Sequence, residues 1–129
     1  MNAASEDIKD MLEADSSLGL VFASNLFIAK EPDDRDCVTI FDTPGAPPQL
    51  TNDSSKFYYS SVQIRVKNSD YIAGYDLAHN IQNLLHGQAQ ETWNGTLYSL
   101  IYSLNDVIHL DWDDNRNARF IINLNIQRR

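Results

Sequence analysis

The chain has 129 residues, 43% hydrophobic and 22% charged, the size and composition of one folded domain spanning residues 1–129 rather than of a disordered chain. Its net charge of −8 disfavours tight binding to a phosphate backbone, because an acidic surface gains nothing from counterion release. No apolar run approaches the roughly 18 residues of a membrane span. Residues 1–10 are polar and acidic, unlike a secretory signal, so the expectation is a protein that acts where it is made or in an assembly built there.

Residues 5–15 predict a first helix. Ile8, Met11 and Leu12 fall on one face, Ser5 is placed to cap it, and Glu6 and Asp7 suit its positive end. Residues 20–30 read as extended, most firmly over residues 26–28. The polar turn Glu31-Pro32-Asp33-Asp34-Arg35-Asp36 separates them from a second strand at 38–41, and the natural pairing is an antiparallel hairpin. The single cysteine, Cys37, excludes an internal disulfide and a cysteine metal cluster. Its place beside an apolar run favours a structural thiol.

The stretch Asp42-Thr43-Pro44-Gly45-Ala46-Pro47-Pro48 reads as incompatible with regular structure, because three prolines remove three backbone donors. A long polar surface loop is expected to continue to Ser55. Residues 57–67 give the clearest strand, with Val62, Ile64 and Val66 alternating against Gln63, Arg65 and Lys67. Ser69 or Asp70 then caps a helix through Leu85, closed by Gly87. Its expected stripe is Ile72, Tyr75, Ala78, Ile81, Leu84 and Leu85. The last third reads as strands at 96–104, 107–112 and 118–127, with a turn at 113–117. The order α, β, β, β, α, β, β, β implies an α+β fold, a mostly antiparallel sheet sandwich with two helices packed against it.

No segment carries a strong chemical signature. Asp111-Trp-Asp113-Asp-Asn115-Arg-Asn117 resembles the start of a calcium loop, but Arg116 and Ile122 stand where Gly and Glu are required, so a hairpin turn is preferred. His79 and His86 are seven residues apart on one helix, about 10.5 Å of rise, too far to share a metal. Asp33, Asp34 and Asp36 cluster in a turn, where aspartate commonly serves local hydrogen bonds. No phosphate-binding glycine loop is present, and no catalytic residue, metal or cofactor is assigned. Asn52-Asp-Ser54 and Asn94-Gly-Thr96 match the glycosylation pattern by chance. Gln63, Arg65 and Lys67 read either as a solvated face or as a polar contact surface, whose acidic partner can be the turn Asp33, Asp34 and Asp36 of a sister copy.

Three stretches carry a resemblance: Asn25-Leu-Phe-Ile28 followed by Pro32; Val38-Thr-Ile-Phe-Asp-Thr-Pro-Gly45 running into Pro47-Pro48; and Ser61-Val-Gln-Ile-Arg-Val-Lys67 followed by Asp70-Tyr71 and Tyr75. With this layout, from about Ile8 to Ile126, the chain resembles the tail terminator (tail completion, or minor capsid) proteins of long-tailed bacteriophages. That family often has a glycine pair in the proline-rich turn, where Gly45 here stands alone.

The resemblance implies a structural virion protein at the head-proximal end of the tail, assembled in the host cytoplasm, and not an enzyme. It implies a ring of identical copies, commonly a hexamer, that caps the tail tube and stops its polymerisation. Its partners would be the tail tube protein and a head-completion or connector protein, with DNA passing unbound through the lumen. Ring closure by a heterologous contact would use Asp33, Asp34, Asp36, Gln63, Arg65 and Lys67, with Pro44, Gly45, Pro47 and Pro48 in a loop that reaches a neighbour or an axial partner. The competing readings are a connector-side stopper or adaptor, a small metal-dependent enzyme using the aspartates of 33–36 or 111–114, and a ligand-binding module near Tyr71, Tyr75 and Trp93.

Overall fold

The computed structural model describes residues 1–50 and 56–129. In chain order it holds α1 (Ala4–Ala14), a 3-10 turn (Ser16–Leu18), β1 (Leu26–Ile28), β2 (Cys37–Leu50), β3 (Lys56–Asn68), α2 (Tyr71–Leu85), β4 (Ala89–Trp93), β5 (Thr96–Ser103), β6 (Ile108–Trp112) and β7 (Ala118–Arg128). The strands form one seven-stranded sheet in the order β1-β2-β3-β7-β5-β4, with β6 also on β7. Every pairing is antiparallel except β1 with β2. The α+β class read from the sequence is therefore observed.

Period-two patterning builds the centre of the sheet. Val66 pairs with Phe120, Ile64 with Ile122 and Val62 with Leu124, an uninterrupted ladder that runs the whole length of β7. All six side chains are buried on one face. Both helices cover that face: α1 packs on β1, β2 and β3, and α2 on β3, β5 and β7. Ile8, Met11 and Leu12 of α1 share one core with Ala78, Ile81 and Leu85 of α2. The other sheet face has no helix over it among the described residues.

Several elements depart from the expectations. The first two strands are parallel, with Leu26, Phe27 and Ile28 beside Val38, Thr39 and Ile40. A three-residue strand rises only about 7 Å, so residues 29–36 suffice to bring the chain back to its starting end. The Lys67 ammonium reaches into that return and donates to the Pro32 carbonyl. Helix α1 begins one residue early, and Ser5 does not cap it. Ser5 lies inside the helix, buried, and the cap comes from elsewhere in the fold, as described below.

Helix α2 starts where expected, with the Asp70 carboxylate accepting from the Ile72 amide at 3.2 Å. Its buried stripe, however, is Gly74, Ala78, Ile81, Gln82 and Leu85. Ile72 and Tyr75 are exposed, because Phe120 rises under the helix at Gly74: a Cβ there would come within 2.9 Å of Phe120 Cε2.

A strand that the sequence reading does not contain, β4, forms a hairpin with β5 around Asn94-Gly95. Both turn residues have positive φ, 51° and 79°, the conformation that Asn-Gly favours in two-residue hairpin loops. The turn docks on α1, Asn94 donating to Asp7 at 2.6 Å and to Asp10 at 2.8 Å.

The central ladder predicts the largest core penalty. Ile64→Ala should cost roughly 2–5 kcal/mol of unfolding free energy, as large-to-small changes in a tight core do. Urea denaturation of the variant measures this, and an unchanged midpoint would refute the assignment of β3 as the central strand.

Candidate assembly surfaces

The proline-rich stretch is not a loop. It is the outer half of β2, which runs beside β3 as far as Leu50. Residues 51–55 of the expected loop lie outside the described residues. The prolines are tolerated because the register slips twice. Thr43 faces Ser61, Ala46 faces Tyr59 and Gln49 faces Phe57, so each interval holds one extra residue on β2. Pro44 falls in the first bulge, and Pro47 and Pro48 in the second, where no ladder donor is missed. On the outer side, β1 accompanies β2 only over Val38, Thr39 and Ile40. Beyond that point the edge is free of strands among the described residues, and Pro44, Gly45, Ala46, Pro47 and Pro48 are exposed.

This arm is anchored at its root. The Asp42 carboxylate accepts from the Ser5 amide at 3.1 Å and from the Ser5 hydroxyl at 2.6 Å. A strand residue thus caps the first turn of α1 from outside the helix, satisfying a donor that helix termini leave orphaned. Midway along the arm, Gly45 is held against β3, and a Cβ there would overlap the Tyr59 carbonyl oxygen.

The open sheet face is polar and internally bonded. Ser61 donates to Asn125 at 2.8 Å, Gln63 to Asn123 at 3.1 Å, and Arg65 Nε to the Gln63 side-chain Oε1 at 2.9 Å. The Arg65 guanidinium also lies over the Phe41 ring, 4.9 Å from its centroid. Gln63 and Arg65 are half-buried side by side on this face. Lys67 is buried and occupied by Pro32, so the three side chains do not present one free surface.

The acidic turn divides similarly. Asp36 accepts from the Ser69 amide and hydroxyl at 2.9 and 3.2 Å, tying the turn to the start of α2. Asp34 pairs with Arg35 at 3.0 Å, and that guanidinium lowers its carboxyl pKa. Asp33 is exposed, and its carbonyl accepts from Asn115 at 3.3 Å. This contact joins the 33–36 turn to the 113–117 turn, and Asp33, Asp111, Asp113, Asp114 and Arg119 line a common shallow depression.

Arg119 grips Asp111 through two bonds of 2.6 Å, which lower the Asp111 pKa, and Glu31 lies 3.5 Å from the same guanidinium. Asp113 is lowered by hydrogen bonds from the amides of Asn117 and Asn115, so the segment compared with a calcium loop closes on its own backbone. Among the described residues, no group of three or more His, Cys, Asp or Glu side chains is arranged to hold a metal ion.

The sequence reading missed a buried polar knot. Asp7 and Tyr98 are both fully buried, and the Tyr98 hydroxyl donates to the Asp7 carboxylate. Burial, then the bond to Asp7, pushes the Tyr98 phenol up. Arg128 approaches the same hydroxyl at 3.4 Å and donates to the Asn2 carbonyl at 2.8 Å.

A model of the bacteriophage tail terminator protein family matches residues 6–128. The chain belongs to that family. It is accordingly a structural protein of the phage tail. Among solved structures it is similar to a chain of the virion of a native gene transfer agent (GTA) particle, with a TM-score of 0.65 and 12% identity over 97% of this chain and 93% of that one. At that identity the likeness concerns the fold. A search of curated proteins finds no match.

Two outcomes follow from these contacts. Gly45→Ala should destabilise the protein by roughly 1–3 kcal/mol, the range for overpacking, and broaden amide signals of the arm residues in NMR spectra. Unchanged spectra and stability would refute the close approach. Asp111 and Asp113 have carboxyl pKa values below their unfolded ones, so their contribution is present above the unfolded pKa of about 3.9 and is lost as pH falls through the folded values. The urea midpoint should hold between pH 7 and about 5 and fall below about 4, and Asp111→Asn should flatten that fall.

Proposed function

We propose that this chain assembles into a ring, hexameric as the family resemblance implies, that caps the finished tail tube, ends its polymerisation and offers the surface to which the head is joined. The observation that carries the proposal is the match of a tail terminator model to residues 6–128. The geometry supports it. The sheet buries one face under two helices and leaves the other open and polar, and the proline arm of β2 extends the surface. Such a molecule acts through contact area and not through a pocket.

Copies meet through unlike surfaces, so that the contact repeats around an axis and closes. Of the residues that sequence reasoning gathers, Pro44, Gly45, Pro47 and Pro48 on the arm, Gln63 and Arg65 on the open face, and Asp33 and Asp34 on the turn remain the contact set. Asp36 and Lys67 act inside the subunit, holding the 29–36 return. The arm reaches a neighbour or an axial partner. The net charge of −8 suits a channel through which DNA slides without binding.

An infection lacking this chain should yield tails of uncontrolled length that do not join heads, and added purified protein should restore both. Tails of normal length with incomplete heads would overturn the capping role and move the protein to the connector side.

A further inference from the structure

We infer that the proline arm of one copy docks on an aromatic ledge of the next, formed by Tyr71, Ile72, Tyr75 and Trp112. The inference rests on the ring reading and names the contact that would close the ring.

The ledge is apolar yet open. Ile72 is 70% exposed, Trp112 53%, Tyr71 43% and Tyr75 38%. Single exposed apolar residues are ordinary, but a contiguous patch of four large ones marks an interaction surface. The patch is also preorganised. Tyr71 stacks on Trp112 with centroids 5.9 Å apart, and both tyrosines rest edge-on against Phe120, at 5.1 and 6.0 Å. Tyr75 stacks in turn on His79. Trp112 belongs to β6, whose outer side carries no strand among the described residues, so the ledge lies at a margin of the sheet.

The arm has complementary chemistry. Three prolines in five exposed residues lack the donors that strand addition needs, but their rings and fixed φ suit an aromatic surface, as proline-rich segments do elsewhere. The two features cannot meet within one subunit. The arm pairs with β3 near Tyr59, whereas the ledge borders the other end, where Asn68 pairs with Ala118 and Ala118 with Trp112. Nine strand steps separate the two ends, roughly 30 Å at 3.3 Å each. They also lie on opposite edges of the sheet. Unlike patches at diagonal corners of one molecule give a heterologous contact, the kind that closes into rings.

Charge favours the same occupant. The ledge is rimmed by Asp70, Asp76, Asp113 and Asp114. Arg129, just past β7, lays its exposed guanidinium 4.9 Å from the centroid of Phe57, at the start of the arm's partner strand β3. A second copy therefore brings a cation together with the prolines.

The test combines assembly and cross-linking. Native mass spectrometry and light scattering first establish whether the wild-type chain forms rings, alone or on purified tail tubes. Ile72→Ser and Pro47→Asp are each expected to raise the concentration needed for assembly at least about tenfold, the effect of losing one anchoring contact, while leaving the monomer's thermal unfolding unchanged. A chain carrying both Pro47→Cys and Ile72→Cys should oxidise to a ladder of linked copies ending at the ring size. Chains with either cysteine alone should give no such ladder, since the native Cys37 is buried.

Wild-type rings with no ladder from the double-cysteine chain, and with both variants assembling at wild-type concentration, would overturn the docking contact and leave the ring reading intact. No wild-type ring, even on tail tubes, would overturn the ring reading and the contact with it.

Discussion

The pairing of β3 with β7 is the constraint on which the remaining structure depends. Every residue of β7 has a partner in β3, without a slip, from Ala118 beside Asn68 to Arg128 beside Tyr58. Because one face is buried, a shift of one residue would turn Phe120, Ile122, Leu124 and Ile126 to the polar side and bring Arg119 and Asn123 into the core. The apolar pattern therefore fixes the register, and the register fixes everything hung from it. Strand β7 offers its second edge to two strands in turn, β5 along its C-terminal half and β6 along its N-terminal half. The end of α2 secures the break between them: Gln82 donates to the Ser103 hydroxyl and the Asn105 carbonyl, and His86 accepts from the Ser103 amide. Strand β2 is placed by the other edge of β3.

The first helix is seated differently. Ile8, Met11 and Leu12 give it an apolar face, but its position along the sheet is set by polar partners from three strands or turns. Asp42 caps its start, Asn94 meets Asp7 and Asp10, and Tyr98 meets Asp7. A buried carboxylate left alone would be costly, so each alternative placement of α1 that separates Asp7 from its donors is penalised. The same knot includes Arg128 and the Asn2 carbonyl, which joins the first residues of the chain to the last strand. Polar satisfaction thus specifies what apolar packing alone would leave free to slide.

This division explains which parts were legible in the sequence. Elements defined by strict periodicity read correctly: β3, β7, α1 and the limits of α2. The features that failed depend on what a residue meets across space. Ser5 looks like a cap until Asp42 is seen to supply one. Ile72 and Tyr75 fit a helical stripe as well as Gly74 and Gln82 do, and only Phe120 rising at Gly74 decides between them. The proline segment suggests a loop because bulges are invisible in composition. The β4–β5 hairpin is a different case. Asn94-Gly95 is a strong turn signal, but the same residues open the glycosylation pattern Asn94-Gly-Thr96, and only the strands on either side reveal the backbone meaning. For the contact residues, the turn Asp33, Asp34 and Asp36 is visible as a cluster, but the partner of each carboxylate is not. Asp36 and Asp34 have the same chemistry and the same exposure, and differ in that Ser69 bonds the first and Arg35 the second.

An assembling sheet protein must also avoid assembling in the wrong way. A free strand edge invites addition of another strand and so an open-ended stack. Here the longer free edge, the outer half of β2, is broken by two bulges and three prolines that cannot donate to an incoming strand. The free edge of β6 is only five residues long and is itself interrupted by a register shift between His109 and Asp111. Along these two edges backbone pairing is suppressed or interrupted, and any contact between copies there is left to side chains. Strand addition would extend the sheet strand after strand into an open-ended stack, whereas side-chain contacts let the surfaces that meet set the angle between subunits. A defined angle is what allows a series of identical contacts to return to its starting point. The prolines that break the β2 edge are therefore compatible with a closed ring in a way that a smooth, fully hydrogen-bonding edge at the same place would not be.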